Sequence, residues 1–107
     1  MVKKGVTEEF PFDESTLVFK VMGKMFALTS IVDFDSINLK VDPEIGAGLQ
    51  EKYHAVKPGY HMNKKHWITV VMDGSIPDNL VLQWIDDSYK LVASSLLKIQ
   101  KTALESM

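Results

Sequence analysis

Apolar and polar residues alternate along the first half of the chain in a way that predicts strands. Leu17, Phe19 and Val21 alternate with Val18, Lys20 and Met22, and β-branched and aromatic residues dominate. That composition suits a pleated, half-buried surface. Gly23-Lys24 interrupts two apolar runs at the spacing of a tight hairpin, with glycine supplying a positive φ. Met25 to Val32 is then the return strand. Asp33-Phe34-Asp35-Ser36 is a turn cluster. Ile37, Leu39 and Val41 alternate with Asn38 and Lys40, which predicts a third strand with one dry and one wet face.

The period changes at Asp42-Pro43-Glu44. Aspartate can cap a helix, proline fits its first turn, and glutamate favours the positive end of the dipole. Ile45, Leu49 and Tyr53 fall on one stripe expected to face inward, while Gly46 and Gly48 each weaken this helix by about 1 kcal/mol relative to alanine. Trp67 to Met72 reads as a fourth strand. Ser75, with Asp78 three residues on and Pro77 between them, resembles a capping box. A long helix then runs to about Ala103, with Val81, Trp84, Ile85, Val92, Leu96 and Ile99 on its inner face. Acids lie in its first half and lysines in its second, as the dipole prefers. Residues 1–9 are polar and read as a tail or a short helix remnant. The expected architecture is α+β in two layers: an antiparallel sheet with helices on one face, in the order β-β-β-α-β-α.

At 107 residues the chain fits a single domain, 1–107, long enough to bury a core without staples. It has no cysteine, which excludes disulfides, thiolate zinc sites and a cysteine nucleophile. The N-terminal segment has no apolar signal region and no apolar run is long enough to span a bilayer, so the expected location is the cytoplasm. The net charge is −2, and all 12 basic residues are lysines. Without arginine, phosphate contact through point charges is favoured over readout of base edges.

Lys57 to Trp67, KPGYHMNKKHW, is the stretch densest in functional groups. Its histidines do not form a metal pair: His61 and His66 lack the i, i+4 spacing of a helical zinc site, and no HExxH motif exists. No nucleophile-elbow serine, paired catalytic carboxylates or glycine-rich phosphate loop is present. Neither a metal nor another cofactor is expected. Lysines interleaved with aromatics do match a phosphate-and-base surface. Lys57, Lys64 and Lys65 supply charge, His61, Asn63 and His66 hydrogen bonds, and Tyr60 and Trp67 aromatic faces. Lys20, Lys24 and Lys40 extend the patch if they share its face. The plainer reading is a solvated loop anchored on the core by Tyr60 and Trp67.

FPFDESTLVFKVMGKMFAL, INLKVDPE, PGYHMNKKHWITV, DGSIPDNL and DSYKLV together resemble the MmcQ/YjbR-like family, over about Gly5 to Ala93. The resemblance implies a CyaY-like two-layer fold and DNA binding of a "double wing" type. Family members usually begin with a helix before the segment matching Lys4-Gly5-Val6, and only about three residues stand there in this chain.

The expectation is a non-enzymatic domain that binds DNA mainly through phosphates, with Lys57, Tyr60, His61, Asn63, Lys64, Lys65, His66 and Trp67 as the interface. One rival is a protein-interaction or dimerisation module. Another is a small-molecule, anion-binding or enzymatic site on the same loop, which requires a histidine in a concave pocket beside a carboxylate.

Overall fold

The computed structural model describes residues 5–11, 14–30, 35–59, 63–96 and 98–106. Its elements are β1 (Val6–Glu9), β2 (Thr16–Val21), β3 (Lys24–Ser30), β4 (Ser36–Lys40), α1 (Pro43–Lys52), β5 (Val56–Pro58), β6 (Trp67–Val71), α2 (Asp78–Ser94) and α3 (Lys98–Glu105). The strands form one six-stranded sheet in the order β1-β2-β3-β4-β6-β5, and every pairing is antiparallel. Helix α2 lies over β2, β3 and β4, and α1 over β5 and β6. The two helices meet where Tyr53 and Trp84 stack edge-on at 5.3 Å, so they share a layer. The α+β class, with its antiparallel sheet and packed helices, is as predicted.

The element order is longer than predicted because two edge strands carry no hydrophobic period. Strand β1, VTEE, is half-buried only at its ends, where Val6 packs against the core, and it pairs with β2. Strand β5 is three residues inside the polar 57–67 stretch. Its Pro58 suits an edge, since it has no N–H to give to a further strand. The predicted Asp33-Phe34 turn and the end of the return strand at Ile31-Val32 lie outside the described residues.

Three local readings are corrected by packing. The hairpin loop is Met22-Gly23, not Gly23-Lys24. Both loop residues have positive φ, 48° and 85°, as a two-residue turn matched to strand twist requires. On α1, Asp42 caps as predicted, accepting from the Glu44 N–H at 3.0 Å, but Ile45 is 62% exposed. Leu49 and Tyr53 do pack against the core, and Gly46 takes the inward place of Ile45: a Cβ there would lie 2.9 Å from Val41 Cγ2 and 3.5 Å from Ile68 Cγ2. The missing side chain is what lets α1 press onto the sheet. Ser75 does not cap α2, because its N–H and hydroxyl both donate to Asp73 Oδ1, and the cap position is Pro77.

The long C-terminal helix is broken. α2 ends at Ser94, where Ser95 and Leu96 donate to Val92 and Ala93 in a tightened last turn and the Ser95 hydroxyl also takes Val92 O. Leu96 stays buried, but Ile99 is 79% exposed, because α3 leaves in a new direction. Leu104 of α3 is buried beside Gly5, where a Cβ would lie 2.7 Å from Leu104 Cδ1. The centre of the core is Phe26, Leu39, Ile68, Val21 and Val70, with Tyr89 of α2 edge-on to Phe26 at 5.6 Å.

Candidate functional site

Two hairpins turn at the same end of the sheet. The β2–β3 hairpin turns at Met22-Gly23, and the β5–β6 connection leaves at Pro58 and returns at Trp67. Between them β4 ends at Lys40, the register partner of Trp67. Side chains alternate across a strand, so Lys40 and Trp67 project on the face opposite Leu39 and Ile68. Beyond Lys40 the chain is still held, with Val41 N–H donating to His66 O at 2.9 Å. The buried Ser88 hydroxyl of α2 donates to Lys40 O at 2.6 Å, just past the last β3–β4 pair, Ala27 and Leu39.

This sheet end encloses an open concavity of about 560 Å³. Lys20, Lys24 and Lys40 line it, with Trp67, Met25, Pro11 and Val92 as its apolar walls, and no acidic side chain is among its described lining residues. Each ammonium has a neighbour. Lys40 Nζ sits 5.3 Å from the centre of the Trp67 ring, within cation–π range. Lys24 Nζ donates to Ser95 O at 3.4 Å, where α2 exposes its carbonyl end. Lys20 Nζ lies 3.6 Å from Glu9 Oε1, and Glu9 also accepts from the Thr7 hydroxyl. Three lysines from β2, β3 and β4 therefore form a local positive basin in a chain of net charge −2.

The residues of the 57–67 stretch divide. Trp67 is 5% exposed, so it forms the floor under Lys40 rather than an open stacking face. Gly59 lies tight against it: its N–H donates to Trp67 O at 3.0 Å, and a Cβ there would come within 2.7 Å of Trp67 Cβ. Asn63 shapes the loop, its Oδ1 accepting from Lys65 N–H and its carbonyl from His66 N–H. This compact turn leaves Lys64 and Lys65 exposed. Lys57 is not brought into the basin. It lines a separate concavity of about 300 Å³ with Asp35, Asn38 and Thr69. Tyr60 and His61 lie outside the described residues.

His66 reaches a neighbouring concavity of about 240 Å³, which shares Lys40, Val92 and Ser95 with the basin and also contains Asp42. That places a histidine and a carboxylate along one hollow, but Asp42 is engaged as the α1 cap. His54 stands apart, 3.9 Å from Asp73, whose carboxyl is held below its ordinary value mainly by the Ser75 hydroxyl and N–H. Among the described residues, no three His, Asp or Glu side chains are placed to hold a metal ion. Among them too, no helix is long and apolar enough to cross a membrane.

Lys20, Lys24, Lys40 and Trp67 were all visible in sequence, the three lysines as a conditional extension of the patch that holds Trp67. Ser88 and Ser95 gave no signal there, since each acts on a lysine far away along the chain.

Comparison with known proteins places this geometry. The family model YjbR matches residues 1–91. The chain belongs to the YjbR family. It is 44% identical over 90 residues to the uncharacterised protein YbdF of Escherichia coli O157:H7, covering 83% of this chain and 74% of that one. It is 34% identical over 105 residues to the uncharacterised protein YjbR of E. coli K12, covering 97% and 88%. The crystal structure of a Deinococcus radiodurans protein with the domain DUF419 superposes with a TM-score of 0.88 at 42% identity, over 97% of this chain and 80% of that one. A Pseudomonas syringae crystal structure matches with a TM-score of 0.68 at 31% identity, over 80% and 86%. In this YjbR-family chain, Trp67 and the lysines of the basin all lie inside the matched segment.

Proposed function

We propose that this YjbR-family domain is a non-enzymatic, cytoplasmic nucleic-acid-binding module that grips DNA mainly by its phosphates. The supporting observation is the basin of Lys20, Lys24 and Lys40, with no acidic side chain among its described lining residues, at the sheet end from which two hairpins project. Lys64 and Lys65 stand exposed on the second hairpin, beside His66. The hairpins act as two wings astride the backbone, and Lys40 on its Trp67 support sits between them. Contact through lysine point charges positions the protein without reading sequence.

Fluorescence anisotropy with duplex DNA over a salt series tests this. If about four lysines each neutralise a phosphate, log K falls with log salt at a slope near −3.6, and affinity drops about 150-fold between 50 and 200 mM salt. No binding at the lowest salt refutes the proposal.

A further inference from the structure

We infer that the Lys20–Lys24–Lys40 basin is a receptor for a phosphomonoester, the doubly charged phosphate found at a strand end or on a free nucleotide. The inference deepens the nucleic-acid reading and rests on it. A duplex is too broad to enter a concavity of about 560 Å³ and can offer the basin lysines only backbone phosphates at the opening. What fits inside is a projecting group, and the volume lies within the usual range for small-ligand sites. A backbone diester carries a single charge, whereas a phosphomonoester carries about −1.5 to −2 at neutral pH and offers three acceptor oxygens.

The basin is built for that larger charge. Lys20, Lys24 and Lys40 line one hollow, and no carboxylate is among its described lining residues. Two of these lysines touch its own walls, Lys24 at the Ser95 carbonyl and Lys40 over the Trp67 ring. Each contact engages one side of an ammonium and leaves further N–H groups for a ligand, because lysine has three. The apolar walls, Met25, Val92 and Pro11, give the attached sugar or base a dry surface. Glu9 belongs to the same device. Its carboxylate holds Lys20 at 3.6 Å from outside the lining, so a phosphate must compete with it for that lysine.

The test is a competition assay on the full chain with a labelled 5′-phosphorylated duplex. The competitors are the same duplex with 5′-hydroxyl ends, a closed dumbbell of equal length, and a nucleoside monophosphate against its nucleoside. The phosphorylated duplex should compete at least tenfold better than the 5′-hydroxyl and dumbbell forms. Lys24→Gln and Lys40→Gln, each checked for folding by circular dichroism, should abolish that difference. Glu9→Gln should tighten binding of the phosphorylated end. Displacement by the nucleoside monophosphate but not the nucleoside supports the inference and makes a free nucleotide the ligand. Preference for phosphorylated ends without that displacement supports it with the strand end as source. Equal competition by all three duplexes overturns the phosphomonoester site and leaves backbone binding standing. Failure of every DNA and of the nucleotide overturns both.

Discussion

Ser88 joins the helical layer to the site, and its removal has a calculable cost. Its side chain is buried, at 1% exposure, and its hydroxyl donates to Lys40 O at 2.6 Å across 48 positions of chain. Regular β3–β4 pairing has already ended at Ala27 and Leu39, so the hydroxyl extends the ladder by one step. Ser88→Ala removes a net bond of about 1 kcal/mol and leaves a carbonyl without this donor, which costs about 1–3 kcal/mol when fully buried. Lys40 is only half-buried, so water can replace part of the loss and the lower half of that range applies. The expected destabilisation is about 1–2 kcal/mol, equivalent to a fall in Tm of roughly 4–10 °C. Urea unfolding should show a lower midpoint at an unchanged m value. The control is Ser94→Ala in the same helix, whose hydroxyl donates locally to Leu91 O and is exposed. It should stay within about 0.5 kcal/mol of the parent. If the two variants unfold at the same urea concentration, the Ser88–Lys40 link carries no stability and the reasoning fails.

The glycines of α1 should separate by sign in thermal unfolding. Gly48→Ala meets nothing within 4 Å and should stabilise by about 0.5–1 kcal/mol, whereas Gly46→Ala sets a Cβ 2.9 Å from the stiff Val41 and should destabilise by about 1–3 kcal/mol. Gly59→Ala places a Cβ 2.9 Å from the Trp67 carbonyl oxygen and should open the β5–β6 hairpin, seen as a shift of Trp67 fluorescence; an unshifted spectrum contradicts that contact. Asp73 should titrate below 3.8 in a carbon-detected NMR experiment, and Ser75→Ala should move it back toward that value. A depressed carboxyl contributes stability above its unfolded pKa and loses it as pH falls through the folded one, so any effect of Ser75→Ala on stability belongs at neutral pH and vanishes in strong acid. Lys64→Ala should weaken DNA binding for all sequences alike and make the salt slope shallower by about one.

Hydrophobic periodicity carried the fold where burial is one-sided. β4 alternates in burial because one face meets the helices, β6 reads as a strand from an apolar run buried on both faces, and α1 shows its cap because an aspartate before a proline has few other uses. The same signal was silent for β1 and β5, which are edges held by backbone hydrogen bonds that any side chain permits. It also ran through Ser95, since the apolar spacing continues to Leu96 while the helix does not.

The candidate site divides in the same way. Residue types alone set its chemistry: lysines without arginine, two histidines in one polar stretch, and no cysteine. They also marked 57–67 as the place to look, and that stretch supplies the floor, Trp67, and the exposed pair Lys64 and Lys65. Its position as one wall of a basin is a tertiary fact. Lys20, Lys24 and Lys40 line one basin because antiparallel pairing brings the end of β2, the start of β3 and the end of β4 to one end of the sheet. Lys57, nearer to Trp67 in sequence than any of them, is carried to another hollow by the register that pairs it with Thr69. Composition and period depend on neighbours along the chain, and so can be read from it. Register, the glycine-sized gap under α1 and the hydroxyl that finds Lys40 depend on neighbours in space, which only the folded chain supplies.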